Sequence, residues 1–135
     1  MFVDASAIVA ILTREPEADA LTSVLEKAPS SITSAIAVFE ATLGICRKRH
    51  ASVDEAKEDV SEFLALAGIG IVAITESEVE TALVAFSRYG RGRGHPARLN
   101  LGDCFAYAVA KNHGMPLLFK GDDFDKTDIA QPARP

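Results

Sequence analysis

The chain has 135 residues, 48% of them hydrophobic, and two cysteines, which fits one folded domain and excludes both a disordered chain and a small disulfide-stapled scaffold. A formal net charge of −5 argues against a general nucleic-acid binder but leaves room for an enzyme with acids in a cleft and bases on its rim. No basic segment precedes a long apolar run, and Ala5 to Leu12 is too short to span a bilayer, so the expectation is a cytoplasmic protein without membrane contact.

Phe2 and Val3 read as a short buried strand ending on Asp4, and Ser6 to Leu12 as a helix buried on most sides. Pro16 suits the first turn of a second helix, with Ala18, Leu21, Leu25 and Ala28 at helical spacing and Pro29 as its stop. Ser31 to Thr33 is the next strand candidate. Ala35 to His50 reads as a helix with Ile36, Phe39, Leu43 and Cys46 on one face. Ser52 and Glu55 suggest a capping box, followed by a buried stripe of Ala56, Val60, Phe63, Leu64 and Ala67. Ile69 to Ile74 is nearly continuous and β-branched, as in a strand covered on both faces. Ser77 and Glu80 suggest another capping box, with Val79, Leu83 and Phe86 following. The Gly90 to Pro96 segment is a loop. Asp103 opens a helix that Gly114 ends, and Pro116 to Phe119 is a strand. Strands alternating with helices predict an α/β fold with a mainly parallel sheet. Cys46 and Cys104 read as free, buried thiols, and His50, His95 and His113 lack zinc-site spacing.

Most acids lie on polar helix faces, but a few do not. Asp4 and Asp122 follow strand ends, where open α/β sheets bind ligands. Glu40 shares a helical stripe with Ile36 and Leu43, and a carboxylate there needs a partner. Asp103 begins a helix. Each has an ordinary structural explanation: a cap for Asp4 and Asp103, an ion pair with Arg47 or Lys48 for Glu40, turn chemistry for Asp122 and Asp123. As a group they suggest a cleft whose repulsion a hard divalent cation, Mg²⁺ or Mn²⁺, would relieve. Such a cation can activate water and stabilise a leaving oxygen, so hydrolysis of a phosphodiester is the economical inference.

The opening Met1-Phe-Val-Asp-Ala-Ser-Ala-Ile-Val-Ala10 resembles the start of PIN domains. Leu99-Asn-Leu-Gly-Asp-Cys-Phe-Ala-Tyr-Ala108 resembles their third acidic motif, and the stretch from Leu117 to Ile129 resembles the closing motif of the VapC toxin branch. The resemblance implies a single PIN-like domain over residues 1–130 with a tail at 131–135. It implies a three-layer sandwich with sheet order 3-2-1-4-5 and helices on both faces. It also implies a Mg²⁺-dependent endoribonuclease acting as the toxin of a toxin–antitoxin pair, with a VapB-type antitoxin and a homodimeric state. Asp4, Glu40 and Asp103 match the first three acids, and Ser6 the hydroxyl beside the first. Gly121 takes one slot of the usual closing pattern, so Asp122 is favoured as the fourth acid with Asp123 as its substitute. Asp4, Asp103 and Asp122 would bind metal directly, and Glu40 directly or through water.

Arg88, Arg91, Arg93 and Arg98 fall in a glycine-rich stretch without acids. Arg91, Arg93 and Arg98 are read either as an RNA clamp or as solvated surface. The Arg47 to His50 cluster is read as the cationic end of a helix. Two alternatives stay open: a PIN-fold nuclease outside any toxin–antitoxin system, and an acidic-pocket binding or phosphoacceptor module without nuclease activity. A phosphatase of the haloacid-dehalogenase type is disfavoured because Ser6 stands where its second Asp is needed.

Overall fold

Phe2–Val3 forms strand β1, fully buried, and Asp4 then caps helix α1 (Ala5–Leu12). Helix α2 (Ala18–Lys27) follows, and strand β2 (Ser31–Ser34) leads directly into helix α3 (Ala35–Arg49), which the Ser34 hydroxyl caps. Helix α4 (Val53–Ala67) ends at Gly68 in the left-handed conformation, φ 67°, which glycine adopts without steric cost. Strand β3 (Ile69–Val72), helices α5 (Glu76–Tyr89) and α6 (Leu101–Asn112), strand β4 (Leu117–Leu118) and a 3-10 turn at Asp123–Lys126 complete the order. The structure, a computed structural model, describes residues 1–133. Arg134 and Pro135, the end of the expected tail, lie outside the described residues.

The sheet is parallel throughout, in the order β3-β2-β1-β4, which bears out the α/β class. β1 is an interior strand, so residues leaving its carboxyl end emerge between the ends of β2 and β4. The helices pack in two groups: α1 against α2, α3 and α4, and α5 against α6, with α6 also touching α3, β1 and β4. At Gly44 of α3 a Cβ would come within 2.8 Å of the Val9 side chain, so a glycine is what lets α3 lie this close to α1. No described helix is long and apolar enough to cross a membrane.

The structure corrects several expectations. The fifth strand of the 3-2-1-4-5 order is absent among the described residues. The segment after the 3-10 turn lies along the outer edge of β4 and accepts one bond there, Leu117 N–H to Ala130 O at 2.9 Å, but forms no ladder. Tyr107 and Lys111 of α6 hold this segment through Asp128, at 2.7 and 3.1 Å. β3 is an edge strand, not one covered on both faces, and Ile71 is 57% exposed. The residue at the N-cap of α5 is Thr75, two positions before the expected Ser77. Thr75 and Ser77 serve to dock α5 on α6: Thr75 Oγ1 donates to Glu78, and Asn112 Nδ2 donates to both Ser77 and Glu78. Ala67 is exposed rather than part of the α4 stripe. Cys104 is buried but Cys46 only partly so, and both are free.

The largest correction concerns α3. Its buried residues are Ala37, Ala41, Thr42, Gly44 and Ile45, whereas Phe39 is 66% exposed. Apart from Ile45, the core-facing side is made of small residues where α1 and α4 pack against it, and Phe39 and Leu43 point elsewhere. We therefore expect Ile45→Ala to cost about 2–5 kcal/mol, the range for truncating a fully buried aliphatic side chain. Phe39→Ala should stay within about 0.5 kcal/mol of wild type, as for an exposed position. Urea unfolding of the two variants distinguishes this face from the one that the apolar spacing suggests.

Candidate active site

The Asp4 side chain is 6% exposed at the carboxyl end of β1. Its Oδ2 accepts from the Ser6 backbone N–H at 3.1 Å and from the Ser6 hydroxyl at 2.6 Å. The Lys120 backbone N–H donates to that same hydroxyl at 3.0 Å. Ser6 thus links the first acid to the loop after β4. Burial pushes the Asp4 carboxyl above its ordinary range. The Ser6 and Ala5 hydrogen bonds oppose this shift, and the charge of Asp123 adds to it.

Glu40 on α3 and Asp103 on α6 join Asp4 in lining a pocket of about 260 Å³ that also includes Ser6, Val9, Gly44, Arg47 and Lys48. Asp103 has two tasks. Its Oδ2 accepts from Asn100 N–H at 3.0 Å while Asn100 Oδ1 accepts from Asp103 N–H at 2.9 Å, a reciprocal cap at the start of α6. Asp103 therefore takes part in the cap of α6 and lines the pocket at the same time. Burial, with the charges of Asp4 and Asp103 adding, raises the Glu40 carboxyl to about 7. Asp103 is raised to about 6, chiefly by burial and further by Asp4 and Asp123, against the Asn100 hydrogen bond and the charge of Arg91.

Of the two closing acids, Asp123 is the one whose charge reaches both Asp4 and Asp103. Asp122 precedes the 3-10 turn, is exposed, and caps nothing with its side chain. Phe124 anchors the turn in the core, its ring 5.0 Å from Phe119, and thereby fixes Asp123 beside the pocket.

Glu40 forms no ion pair among the described residues. Of its two expected partners, Arg47 forms no ion pair among the described residues and Lys48 binds Glu15, as Lys120 also does. Arg47 and Lys48 line the acidic pocket, so the basic end of α3 does more than complement the helix dipole. Helical spacing carries this signal: Glu40, Gly44, Arg47 and Lys48 recur at intervals of four, seven and eight, one face of a helix. In the glycine loop, Arg91 is near enough to Asp103 to act on its charge. Arg93 lies over the Phe86 ring at 6.0 Å, and Arg98 is exposed in left-handed backbone with φ 52°. The loop is closed at its base by Arg91 N–H to Leu99 O and Leu99 N–H to Tyr89 O, at 2.9 and 2.8 Å. Arg88 turns away to Asp128 at 3.8 Å.

The donors around the pocket are all carboxylate oxygens, which suits a hard divalent cation. Among the described residues no three acids stand close enough to form a ready-made cage. An open set of this kind fits a cation that keeps several waters, as Mg²⁺ does, with one or two carboxylates bound directly and the rest through water.

The raised carboxyls give a stability prediction with a definite sign. Glu40 and Asp103 hold protons in the folded state, at about 7 and about 6, that they lose near 4.5 and 3.8 when unfolded. The folded protein binds more protons, so metal-free stability is greatest in acid and falls as pH rises through about 6 and about 7. Asp103→Asn keeps a capping oxygen and removes one charge, and should flatten this slope. Thermal melts in EDTA from mildly acidic to neutral pH check it, and equal slopes would reject the repulsion.

Residues 1–130 match the model of the PIN domain family. The chain is 43% identical over 129 residues to ribonuclease VapC42 of Mycobacterium tuberculosis, covering 96% of each chain. It is 40% identical over 130 residues to ribonuclease VapC of Mycolicibacterium smegmatis, covering 96% of this chain and 98% of that one. Among solved structures, M. tuberculosis VapC20, a sarcin–ricin loop cleaving toxin, superposes with a TM-score of 0.77 at 17% identity over 99% of this chain and 98% of that one. A toxin–antitoxin complex from Klebsiella pneumoniae superposes with a TM-score of 0.68 at 19% identity, again over 99% and 98%. The last two show likeness of fold; the sequence matches over nearly the full length show descent, and the chain belongs to the PIN-domain family, among the VapC ribonucleases.

Proposed function

We propose that this chain is a metal-dependent endoribonuclease that hydrolyses RNA phosphodiester bonds as the toxin of a toxin–antitoxin pair. The observation that carries the reading is the convergence of Asp4, Glu40 and Asp103 on one pocket whose rim holds Arg47 and Lys48. The relatives carry the name ribonuclease VapC over nearly their whole length, which favours a toxin over a nuclease of other purpose or a binding module. The nuclease domain is residues 1–130.

Bound Mg²⁺ or Mn²⁺ would supply an activated water and stabilise the leaving oxygen. Asp4 and Asp103 would hold it, with Glu40 beside them, and Asp123 rather than Asp122 would be the fourth acid. Ser6 holds Asp4 Oδ2 in one orientation and keeps the Asp123 loop at a fixed height through Lys120. Arg47 and Arg91 neutralise the phosphates on either side of the scissile bond, with Arg93 and Arg98 farther along the strand. The protein acts in the cytoplasm, where a VapB-type antitoxin restrains it. A homodimer is supported by the exposed apolar face of Val79, Leu83, Phe86 and Leu101, which a second copy would cover.

Two predictions test the reading. Asp4→Asn should fold normally yet lose more than about 100-fold in cleavage of single-stranded RNA, beyond the loss typical of an outer-shell change, and EDTA should stop the wild type. Undiminished cleavage in either case rejects the metal mechanism. Replacing Arg47 or Arg91 by Ala should weaken RNA binding and reduce the log–log salt slope by about 0.7 per lost phosphate contact. A slope unchanged in both variants removes them from the RNA surface.

A further inference from the structure

Gly102 is a buried glycine in the first turn of α6, and its backbone does not call for one. Its φ is not among the positive values found at Gly68, Gly92, Gly94, Gly114 and Gly121. In ordinary helical backbone glycine is less stable than alanine. The reason for it lies across the pocket. A Cβ built on Gly102 would overlap Oε1, Oε2 and Cδ of Glu40. The end of Glu40 therefore rests directly on the α6 backbone, one residue before Asp103. No hydrogen bond or ion pair to Glu40 occurs among the described residues, so available space, and not a polar partner, determines where its carboxylate lies.

We propose that Gly102 is the positioning residue for Glu40: the missing side chain is the seat that holds the second acid beside Asp4 and Asp103. The overlap involves only the terminal atoms of a flexible side chain. A methyl group at position 102 would thus leave the core packing intact and turn the carboxylate out of the pocket. The consequence for metal binding rests on the reading of Glu40 given under Proposed function; the steric seat does not.

Gly102→Ala tests this through three readouts on the full chain: thermal melts, metal-free crystal structures and calorimetric titration with Mn²⁺. The variant should melt no lower than wild type, because alanine is the better helix former. Its Glu40 carboxylate should lie away from α6. Its Mn²⁺ affinity should fall about tenfold, the scale of a displaced supporting group, and should match that of Glu40→Ala. The double variant Glu40→Ala/Gly102→Ala should bind Mn²⁺ no more weakly than Glu40→Ala alone. Glu40→Asp/Gly102→Ala, with a shorter acid that clears the methyl, should recover part of the loss. A Gly102→Ala structure with Glu40 in its original place overturns the proposal, as does full additivity in the double variant. If Glu40 moves while Mn²⁺ affinity holds, the seat stands and the reading of Glu40 as a metal-site acid falls. If Gly102→Ala fails to fold, a folded Glu40→Ala/Gly102→Ala still supports the contact, and failure of both makes Gly102 a plain packing residue and overturns the proposal.

Discussion

The structure depends on keeping a carboxylate dry at the end of an interior strand. Asp4 is 6% exposed, and an unpaired charge in such a place is strongly disfavoured. The fold offsets the cost without a cation of its own touching the group. Ser6 supplies two hydrogen bonds to one oxygen, and the opening of α1 completes the cap. The charges of Asp4 and Asp103 then hinder the ionisation of Glu40, and those of Asp4 and Asp123 hinder that of Asp103. Such a site is unfavourable for the folded protein taken alone, which is the expected condition of a centre that a cation completes.

The positive charges are divided with similar economy. Lys48 and Lys120 converge on the largely buried Glu15, and Arg88 and Lys111 converge on Asp128. The first pair ties the end of α3 and the loop after β4 to the α1–α2 connection. The second fastens the C-terminal segment to α5 and α6. Arg47, exposed beside the acids, and Arg91, near Asp103, form no ion pair among the described residues. A chain of net charge −5 can thus still present a basic rim, because its acids and bases are sorted by position.

Much of this was legible in the sequence where one residue type has one physical use. An Asp closing an apolar pair, an Asp opening a helix after Asn and Gly, and strands alternating with helices identify the class and three pocket acids. What misled was apolar periodicity on α3. Phe39 and Leu43 look like core, yet the buried face of α3 is Ala37, Ala41, Thr42, Gly44 and Ile45, with glycine where α1 approaches closely. The Ile69 to Ile74 run misled similarly, since edge or interior position depends on sheet order, which no local pattern encodes. Arg47 and Lys48 were hidden by a generic explanation, the helix dipole, although their spacing from Glu40 already put them on its face. Asp122 and Asp123 are adjacent and chemically identical, and no local pattern tells which of them faces Asp4 and Asp103.

The hydroxyl of Ser6 joins two parts of the chain that are 114 positions apart, and β1 completes its pairing only when β4 arrives. This has a consequence for synthesis. A ribosome delivers Asp4 first, then Glu40, then Asp103, and the segment that braces Ser6 and completes the pairing of β1 comes in the final stretch of the polypeptide. Until that stretch has emerged, β1 lacks its neighbour β4 and the Ser6 hydroxyl beside Asp4 lacks its backbone donor. Closure of this end of the sheet is therefore a late event in the making of the chain, set by the order of its residues alone.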